Sequence, residues 1–315
     1  MKADSLLTRK IKRGHLRVLA FAVLVAMVFA AGCGSSTDDS ELQGADVPTD
    51  AEPALCHTAA PAETQSNAGE NNNSKLSFEP LSFPAQPPSP AREVKLPILM
   101  FHHVGDPPAG ADEIRRGLTV SASDFEAMMS FLKQAGYNPV SEKQLFKTLF
   151  SGETLPPNPV MLTLDDGYLD NYSIAAPILE KYGFPASFYI ISEKVGTPEY
   201  MNWDQVAGLD SKGMDVGSHT ATHADLTTLP GTELKRELKD SAAALETHLG
   251  HPVYWLCYPA GKYDADVERY AQEAGYLLAT TTKTGEKQSG SAPYELLRYR
   301  VRSDTGVEAF KELVK

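Results

Sequence analysis

Two histidines four residues apart, His219 and His223, have a spacing that suits metal binding. Imidazole side chains at this spacing can reach one metal ion from the same side of a turn or helix. The residue after the first histidine is Thr220, which excludes the H-E-x-x-H pattern in which a glutamate acts as general base. Unless the pair is simply two surface histidines near a strand end, a third ligand and a base must come from elsewhere.

The adjacent carboxylates of Asp165 and Asp166 follow the apolar run of residues 160–164. Like charges at the end of a buried strand are unfavourable unless a cation or a shared proton offsets them. One interpretation is a helix N-cap, a position that aspartate favours. The other divides the work, with one aspartate binding a metal beside His219 and His223 while its neighbour takes a proton. One carboxylate and two imidazoles leave positions open for water and substrate, which is typical of a catalytic metal site.

The sequence predicts an alternation of strands and helices that would bring these side chains together. Apolar, β-rich runs bounded by turn signals predict seven strands, at residues 97–101, 160–164, 186–191, 214–216, 253–258, 276–280 and 298–301. Helical patterns and capping signals predict helices between several of them, at residues 123–135, 173–182, 203–209, 232–249, 264–274 and 307–314, with a short helix opening at Ser141. This alternation predicts a parallel sheet, either open or closed into a barrel.

The polar residues that need an explanation all follow predicted strands: His102 and His103, Asp165 and Asp166, His219 and His223, and residues 258–261. Chemistry at the carboxyl ends of several strands is typical of a (β/α) barrel, whereas a doubly wound sheet concentrates it at one switch point. The predicted fold class is therefore α/β, a distorted TIM-like barrel of about seven strands.

Residues 163–168, Thr-Leu-Asp-Asp-Gly-Tyr, resemble the first motif of the polysaccharide deacetylase family, also known as carbohydrate esterase family 4 or the NodB-homology domain. Residues 218–223, Ser-His-Thr-Ala-Thr-His, resemble its second motif. The similarity covers residues 96–315, and the two motifs in this order and separation are highly specific. The resemblance implies a distorted (β/α) barrel that hydrolyses acetyl groups from N-acetylated sugars.

The same resemblance assigns roles by motif position. It implies that Asp165 is the general base and that Asp166, His219 and His223 hold one divalent metal. The metal is usually Zn²⁺, with Co²⁺ or Ni²⁺ as the alternatives. Tyr168, the last residue of the first motif, is a predicted substrate contact.

Residues 257–263 resemble the third family motif but depart from it. The family usually has arginine two residues before the proline and an aromatic residue after it, whereas this chain has Cys257 and Ala260 at those positions. The backbone N–H of Ala260 is a predicted oxyanion donor, because that role needs no side chain. Tyr258 is a predicted substrate contact. The usual role of the arginine in orienting the base must be filled by another residue or be absent.

The family's late Leu-x-His motif, which supplies the general acid, is missing, since the last histidine of the chain is His251 and precedes the third motif. Residues 96–104 instead resemble the opening of the circularly permuted branch, known from poly-N-acetylglucosamine deacetylases, whose catalytic histidine stands at the N-terminal strand. Alternation along an extended chain sends His102 and His103 to opposite faces, and we favour His102 as the acid. Trp203 also fits this branch, as either a sugar-stacking or a packed core residue.

The first residues of the chain predict export. Residues 1–20 carry six basic side chains against one acidic one, and an uncharged run of fourteen residues follows from residue 18. This is typical of a signal peptide, because a spanning helix needs about 20 apolar residues; an uncleaved anchor is the alternative. Small residues before Cys33 resemble a bacterial lipobox and predict its lipidation. The predicted organisation is a lipoprotein-type signal peptide at residues 1–32, a disordered, acidic, Pro-rich tether at 33–95 and the deacetylase-like domain at 96–315.

The formal net charge of −12 divides into +5 for the leader, −7 for the tether and −10 for the domain. This acidity excludes a nucleic-acid binder and predicts that a strongly anionic polymer is repelled, so a neutral or cationic glycan suits the surface better. We expect a monomeric, metal-dependent N-deacetylase of N-acetylglucosamine-type cell-wall or extracellular polymers, lipid-anchored to the outer face of the bacterial cytoplasmic membrane. An O-acetyl esterase of the xylan type and a degenerate barrel that binds glycans without cleaving them remain the alternatives.

Overall fold

The computed structural model of the chain describes residues 80–315. The predicted signal peptide at residues 1–32, Cys33 and the tether up to residue 79 lie outside the described residues. Within residues 80–315, no helix has both the length and the apolar character that crossing a membrane would require.

Short strands and helices alternate along this part of the chain. The strands are β1 (Glu93–Lys95), β2 (Ile98–Phe101), β3 (His103–Val104), β4 (Thr119–Val120), β5 (Asn138–Pro139), β6 (Pro159–Leu164), β7 (Ser187–Ile190), β8 (Asp215–Ser218), β9 (Trp255–Cys257), β10 (Leu278–Thr280), β11 (Lys287–Ser289) and β12 (Tyr299–Arg300). The α-helices are α1 (Glu113–Leu118), α2 (Ala122–Gln134), α3 (Glu142–Ser151), α4 (Ala176–Tyr182), α5 (Trp203–Ser211), α6 (Gly231–Leu249), α7 (Ala265–Glu273) and α8 (Gly306–Leu313). A π-helical turn, Asn171–Ala175, leads into α4.

One curled parallel sheet holds all seven predicted strands, in the order β10-β9-β8-β7-β6-β2-β12, and β5 pairs with β6 at one side. Every pairing within it is parallel, as the strand–helix alternation predicts. The sheet forms a half-barrel with helices packed on it. The predicted fold class, a distorted (β/α) barrel, is confirmed.

Strands β2, β6, β7, β9 and β10 of this sheet are buried on both faces, which explains their nearly continuous apolar sequences. Along β2, Ile98 belongs to a core cluster that includes Leu145, Phe146 and Leu149 of α3, whereas Leu99 faces the larger core beneath helices α2 and α4. Each fully buried aliphatic side chain stabilises the fold by about 1.5–3 kcal/mol. The sheet is therefore fixed from both sides and can hold polar side chains rigidly at its edge.

Helix boundaries follow local capping chemistry. Helix α3 has the predicted capping box between Ser141 and Gln144. Helix α2 differs from the sequence-based expectation, because its N-cap is Ser121, whose side chain accepts from the Asp124 N–H, and the helix starts earlier than Ser123. Helix α6 ends at Gly250 in the left-handed conformation, φ 77°.

The last part of the predicted tether, from residue 80 onward, packs on the barrel. The Phe83 ring lies 5.6 Å from that of Phe146 and 4.9 Å from that of Phe150. Strand β1 pairs antiparallel with β11, with Val94 opposite Gln288. Two apolar anchors, Leu81 and Phe83, join the core cluster beneath α3, although the prolines around them suggested disorder.

Candidate active site

Three potential metal ligands meet at the carboxyl edge of the sheet. Asp166 follows β6, and His219 follows β8. Asp166 Oδ1 lies 3.2 Å from His219 Nε2 and 3.6 Å from His223 Nε2. Donors about 2.1 Å from one tetrahedral ion lie about 3.4 Å apart, so the spacing fits a single ion. The cluster is buried at Asp166 and His219 and half-buried at His223, which leaves one side open.

The orientation of His219 suits metal binding. Its Nδ1 lies 2.7 Å from the carbonyl oxygen of Cys257, an acceptor that fixes the proton on Nδ1 and leaves the Nε2 lone pair facing Asp166. Burial and the neighbouring His219 lower the pKa of His223, which keeps that imidazole neutral and able to bind a cation. Burial opposes ionisation of Asp166, but the facing imidazoles of His219, His102 and His223 together outweigh burial and lower the pKa of the carboxyl.

Backbone strain concentrates in the motifs that form the site. Six residues other than glycine have positive φ in the described chain, and four of them are Asp166 at 78°, Thr220 at 66°, His223 at 68° and Ala260 at 53°. Such conformations are unfavourable by about 1–3 kcal/mol each and persist where the surrounding structure holds them. Their concentration here supports a functional demand on the positions of these side chains.

Asp165, the predicted base, is held by an arginine that the sequence analysis missed. Arg298, just before β12, is fully buried and donates from Nη1 to Asp165 Oδ1 at 2.7 Å and from Nη2 to Oδ2 at 2.8 Å. Its Nε donates to the carbonyl of Thr281 at 2.8 Å. Burial would raise the pKa of Asp165, but the Arg298 guanidinium outweighs it and holds the pKa below its usual value. Asp165 is therefore an ionised carboxylate next to the three potential metal ligands.

Arg298 supplies the contact with the base that the missing motif-three arginine would otherwise make. Cys257 stands at that position, and its Sγ lies 3.1 Å from Arg298 Nη2 and 3.5 Å from Asp165 Oδ2. The signal in the sequence was an arginine within an otherwise strand-like run. Its significance depends on β12 pairing beside β2, which no local pattern reveals.

The two candidate acids have different surroundings. His102 is close enough to Asp165 and Asp166 for their charges to act on its ring, and its Nδ1 is buried with no hydrogen-bond partner in residues 80–315. His103 turns away, with its Nδ1 2.7 Å from Asp170 Oδ2 and its ring stacked 3.5 Å from Tyr168. Burial lowers the pKa of His102 to about 4 despite both aspartates, so its ring is neutral at neutral pH. This geometry favours His102 as the residue that exchanges protons in the site.

The predicted substrate contacts separate into different environments. Tyr168 is half-buried, and its ring also lies 5.0 Å from that of Tyr200 at the rim of the site. Tyr258 is fully buried and stacks on Tyr263 at 4.9 Å, so the prediction that it contacts substrate is corrected: it is a core residue. Trp203 is half-buried and stacks on His248 of α6 at 3.8 Å, so its predicted contact with substrate stays a prediction.

The third motif forms a tight turn after β9. Pro259–Gly261 is a 3₁₀ turn with Ala260 exposed and left-handed. The strand order puts this turn beside His219, because β9 neighbours β8. The predicted oxyanion donor thus lies in an exposed loop at the same edge of the sheet as the three potential metal ligands.

Comparison with known proteins gives consistent results. The model of the family described as polysaccharide deacetylase matches residues 152–279. This range contains the three potential metal ligands but neither His102 nor Arg298. YxkH of Bacillus subtilis (strain 168), named for the same family, is 29% identical over 219 residues, which cover 70% of this chain and 76% of YxkH. A poly-beta-1,6-N-acetyl-D-glucosamine N-deacetylase of Staphylococcus aureus is 26% identical over 215 residues, 64% of this chain and 72% of that protein. The crystal structure of a Bacillus anthracis protein assigned to this family shares 30% identity and a TM-score of 0.63, covering 71% of this chain and 70% of that one.

Proposed function

The chain belongs to the polysaccharide deacetylase family, and from this premise we propose that it is a metal-dependent N-deacetylase of N-acetylglucosamine-type cell-wall or extracellular polymers. One observation carries the proposal: an ionised, arginine-clamped Asp165 lies directly beside the Asp166–His219–His223 cluster. A barrel that only binds glycans has no use for a base held beside three metal ligands. The name of the S. aureus relative supports N-acetylglucosamine polymers as the substrate class.

The donor set fits a divalent metal of the zinc type, since one carboxylate and two imidazoles form an open site. When bound, such an ion polarises the acetamide carbonyl and lowers the pKa of a water from 15.7 to about 7. Asp166, His219 and His223 are the residues that would hold it. The Cys257 carbonyl keeps His219 in the tautomer that ligation requires.

The remaining groups handle protons and charge. Asp165 takes the proton of the attacking water, for which it must be ionised, and Arg298 keeps it ionised and fixed. His102, neutral before reaction, receives this proton and delivers it to the departing sugar amine as the C–N bond breaks. The Ala260 N–H donates to the oxyanion that develops on the acetamide oxygen. The products are acetate and a glucosamine unit.

The experiment is acetate release from N-acetylglucosamine oligomers, poly-N-acetylglucosamine, peptidoglycan and acetylxylan, each with and without a chelator. The proposal expects chelator-sensitive release from at least one N-acetylated polymer and none from acetylxylan. His219→Ala should abolish both bound metal and release, whereas Glu273→Gln on the outer face of α7 serves as the unaffected control. Release from acetylxylan alone would identify an O-acetyl esterase, and full activity in metal-free protein would contradict the mechanism.

We also propose that the protein is exported and anchored to the membrane through a lipid on Cys33. The basic leader, the short apolar run and the small residues before this cysteine support the proposal. Cys33→Ala should move the protein from the membrane fraction to the soluble fraction of cells. An unchanged membrane fraction would contradict lipidation and favour an uncleaved anchor.

A further inference from the structure

Arginines alternate along the last strand of the barrel, at positions 298, 300 and 302. Side chains two residues apart on an extended chain point to the same face, so Arg300 lies on the face from which Arg298 reaches Asp165. Two residues advance a strand by about 6.6 Å. Because the parallel strands carry their catalytic residues at the carboxyl edge, this advance takes Arg300 from beneath Asp165 toward the mouth of the site.

The pairing of β12 with β2 and the charge interactions of Arg300 both indicate that it lies near the reaction centre. Its positive charge lowers the pKa of His102, and the negative charge of Asp165 partly offsets the lowering of the pKa of Arg300 by burial. Strand β12 pairs Arg300 with Met100, two residues before His102 on β2. Arg300 is thus a neighbour of both the proposed base and the proposed acid.

Unlike the arginines around it, Arg300 has no ion-pair partner in the part of the chain that the structure describes. Within residues 80–315 its guanidinium makes no hydrogen bond or ion pair, although the side chain is half-buried. The neighbouring arginines are all engaged: Arg298 with Asp165, Arg115 with Asp170 and Glu199, and Arg302 with Asp304. A half-desolvated guanidinium with five donors and no acceptor is unfavourable, and an anion is the group that would satisfy it.

We propose that Arg300 is a specificity residue that binds an anionic substituent, a carboxylate or a phosphate, which the polymer carries next to the acetamide being hydrolysed. The inference rests on the proposed function, since it concerns the substrate of that site. A planar guanidinium matches both anions through two parallel N–H donors. The −10 charge of the domain disfavours a polyanion, so the fitting substrate is a largely neutral glycan with isolated anionic groups.

The test compares three oligomers of equal length: N-acetylglucosamine alone, N-acetylglucosamine alternating with carboxylate-bearing N-acetylmuramic acid, and N-acetylglucosamine bearing one phosphate. The measured quantity is kcat/KM for acetate release by the wild type and by Arg300→Gln. We expect the variant to lose about tenfold to a hundredfold on one or both anionic oligomers and several-fold less on the neutral one. The arm that shows the loss identifies the anion as carboxylate or phosphate.

Arg302→Gln is the matched control, because it removes the same charge at a position two residues from Arg300. The Arg302 side chain is already paired with Asp304. This variant should leave the ratio of the rates on anionic and neutral oligomers unchanged. Arg300→Lys should restore part of the preference, since it keeps the charge without the planar fork. Equal losses on all three oligomers, or the same change of ratio in Arg302→Gln, would overturn the proposal.

A binding measurement separates this inference from the deacetylase proposal. Calorimetric titration with the same oligomers should give tighter binding of an anionic oligomer to the wild type and loss of that preference in Arg300→Gln. If no polymer releases acetate, the proposed function fails, and the titration still decides the role of Arg300. If acetate is released but wild type and variant bind all three oligomers alike, only the Arg300 inference fails.

Discussion

Replacing Arg298 with glutamine tests whether this arginine sets the protonation state of Asp165. The guanidinium and the carboxylate are both buried, with side-chain exposures of 0% and 3%, and are joined by two hydrogen bonds of 2.7 and 2.8 Å. Glutamine keeps a hydrogen-bonding amide at the site but removes the positive charge. The base then faces burial without its counterion.

The magnitude follows from the geometry of the pair. Charge centres about 4 Å apart attract by about 4 kcal/mol at an effective dielectric constant of 20. That energy corresponds to about three pKa units at most, and water entering the site would reduce the shift to between about one and three. Leaving Asp165 ionised without its partner would cost about 3–5 kcal/mol of stability, so protonation is the more favourable response.

The assay is kcat/KM for acetate release between pH 4 and pH 9, in the wild type, Arg298→Gln and the control Arg302→Gln. Asp165 acts only when ionised, and Arg298 holds its pKa below the usual value. A raised pKa in Arg298→Gln therefore moves the acid limb to higher pH: activity is lost as the pH falls through the raised pKa and returns above it. Arg302→Gln should keep the wild-type acid limb.

Two results would refute the reasoning. An Arg298→Gln profile whose acid limb coincides with that of the wild type would show that the arginine does not control the ionisation of the base. A loss of equal size at every pH, with no recovery in alkaline buffer, would show that it only fixes the position of the carboxylate. Circular dichroism at each pH checks that the variant remains folded.

Asp165→Asn should keep its metal by elemental analysis and lose activity by at least about a hundredfold at every pH, and a recovery in alkaline buffer would contradict a role as base. His102→Gln should reduce kcat by about a hundredfold or more, whereas His103→Gln should affect kcat less; the reverse order of the two variants would assign the acid to His103. Burial, with the nearby Asp215, raises the pKa of Glu142, so the folded protein keeps this carboxyl protonated while the unfolded chain ionises above about pH 4.3. The wild type should lose stability as the pH rises from that value toward the folded pKa, and Glu142→Gln should show a higher Tm at pH 8 but not at pH 4.

The sequence allowed prediction of the elements that follow from local pattern and of the residues that follow strand ends. Asp166 and His219 come together because β6, β7 and β8 are consecutive neighbours in a parallel sheet, so their carboxyl ends meet at one edge. The run at residues 160–164 is apolar on both faces apart from Thr163, and glycine follows it at position 167. These features needed no knowledge of long-range packing.

Other features depended on contacts between distant segments. Phe83 stabilises the last part of the predicted tether through rings more than sixty positions later in the chain, and composition alone therefore suggested disorder. The position of Tyr258 after a strand predicts a site residue, but its side chain is 0% exposed and stacks on Tyr263. Burial of an aromatic side chain at a strand end is decided by the loop that covers it.

Cys257, at the position where the family usually has arginine, and Arg298 depend on each other. Cys257 Sγ lies 3.1 Å from the Arg298 guanidinium and 3.5 Å from the Asp165 carboxylate, so the thiol occupies the space beside the clamp. An arginine at position 257 would bring a second buried cation against Arg298, with one carboxylate between them, and would leave a buried charge unpaired. A small side chain on β9 is therefore the condition under which an arginine entering from β12 can hold the base. The base keeps its counterion, although the residue that supplies it comes from the opposite side of the site.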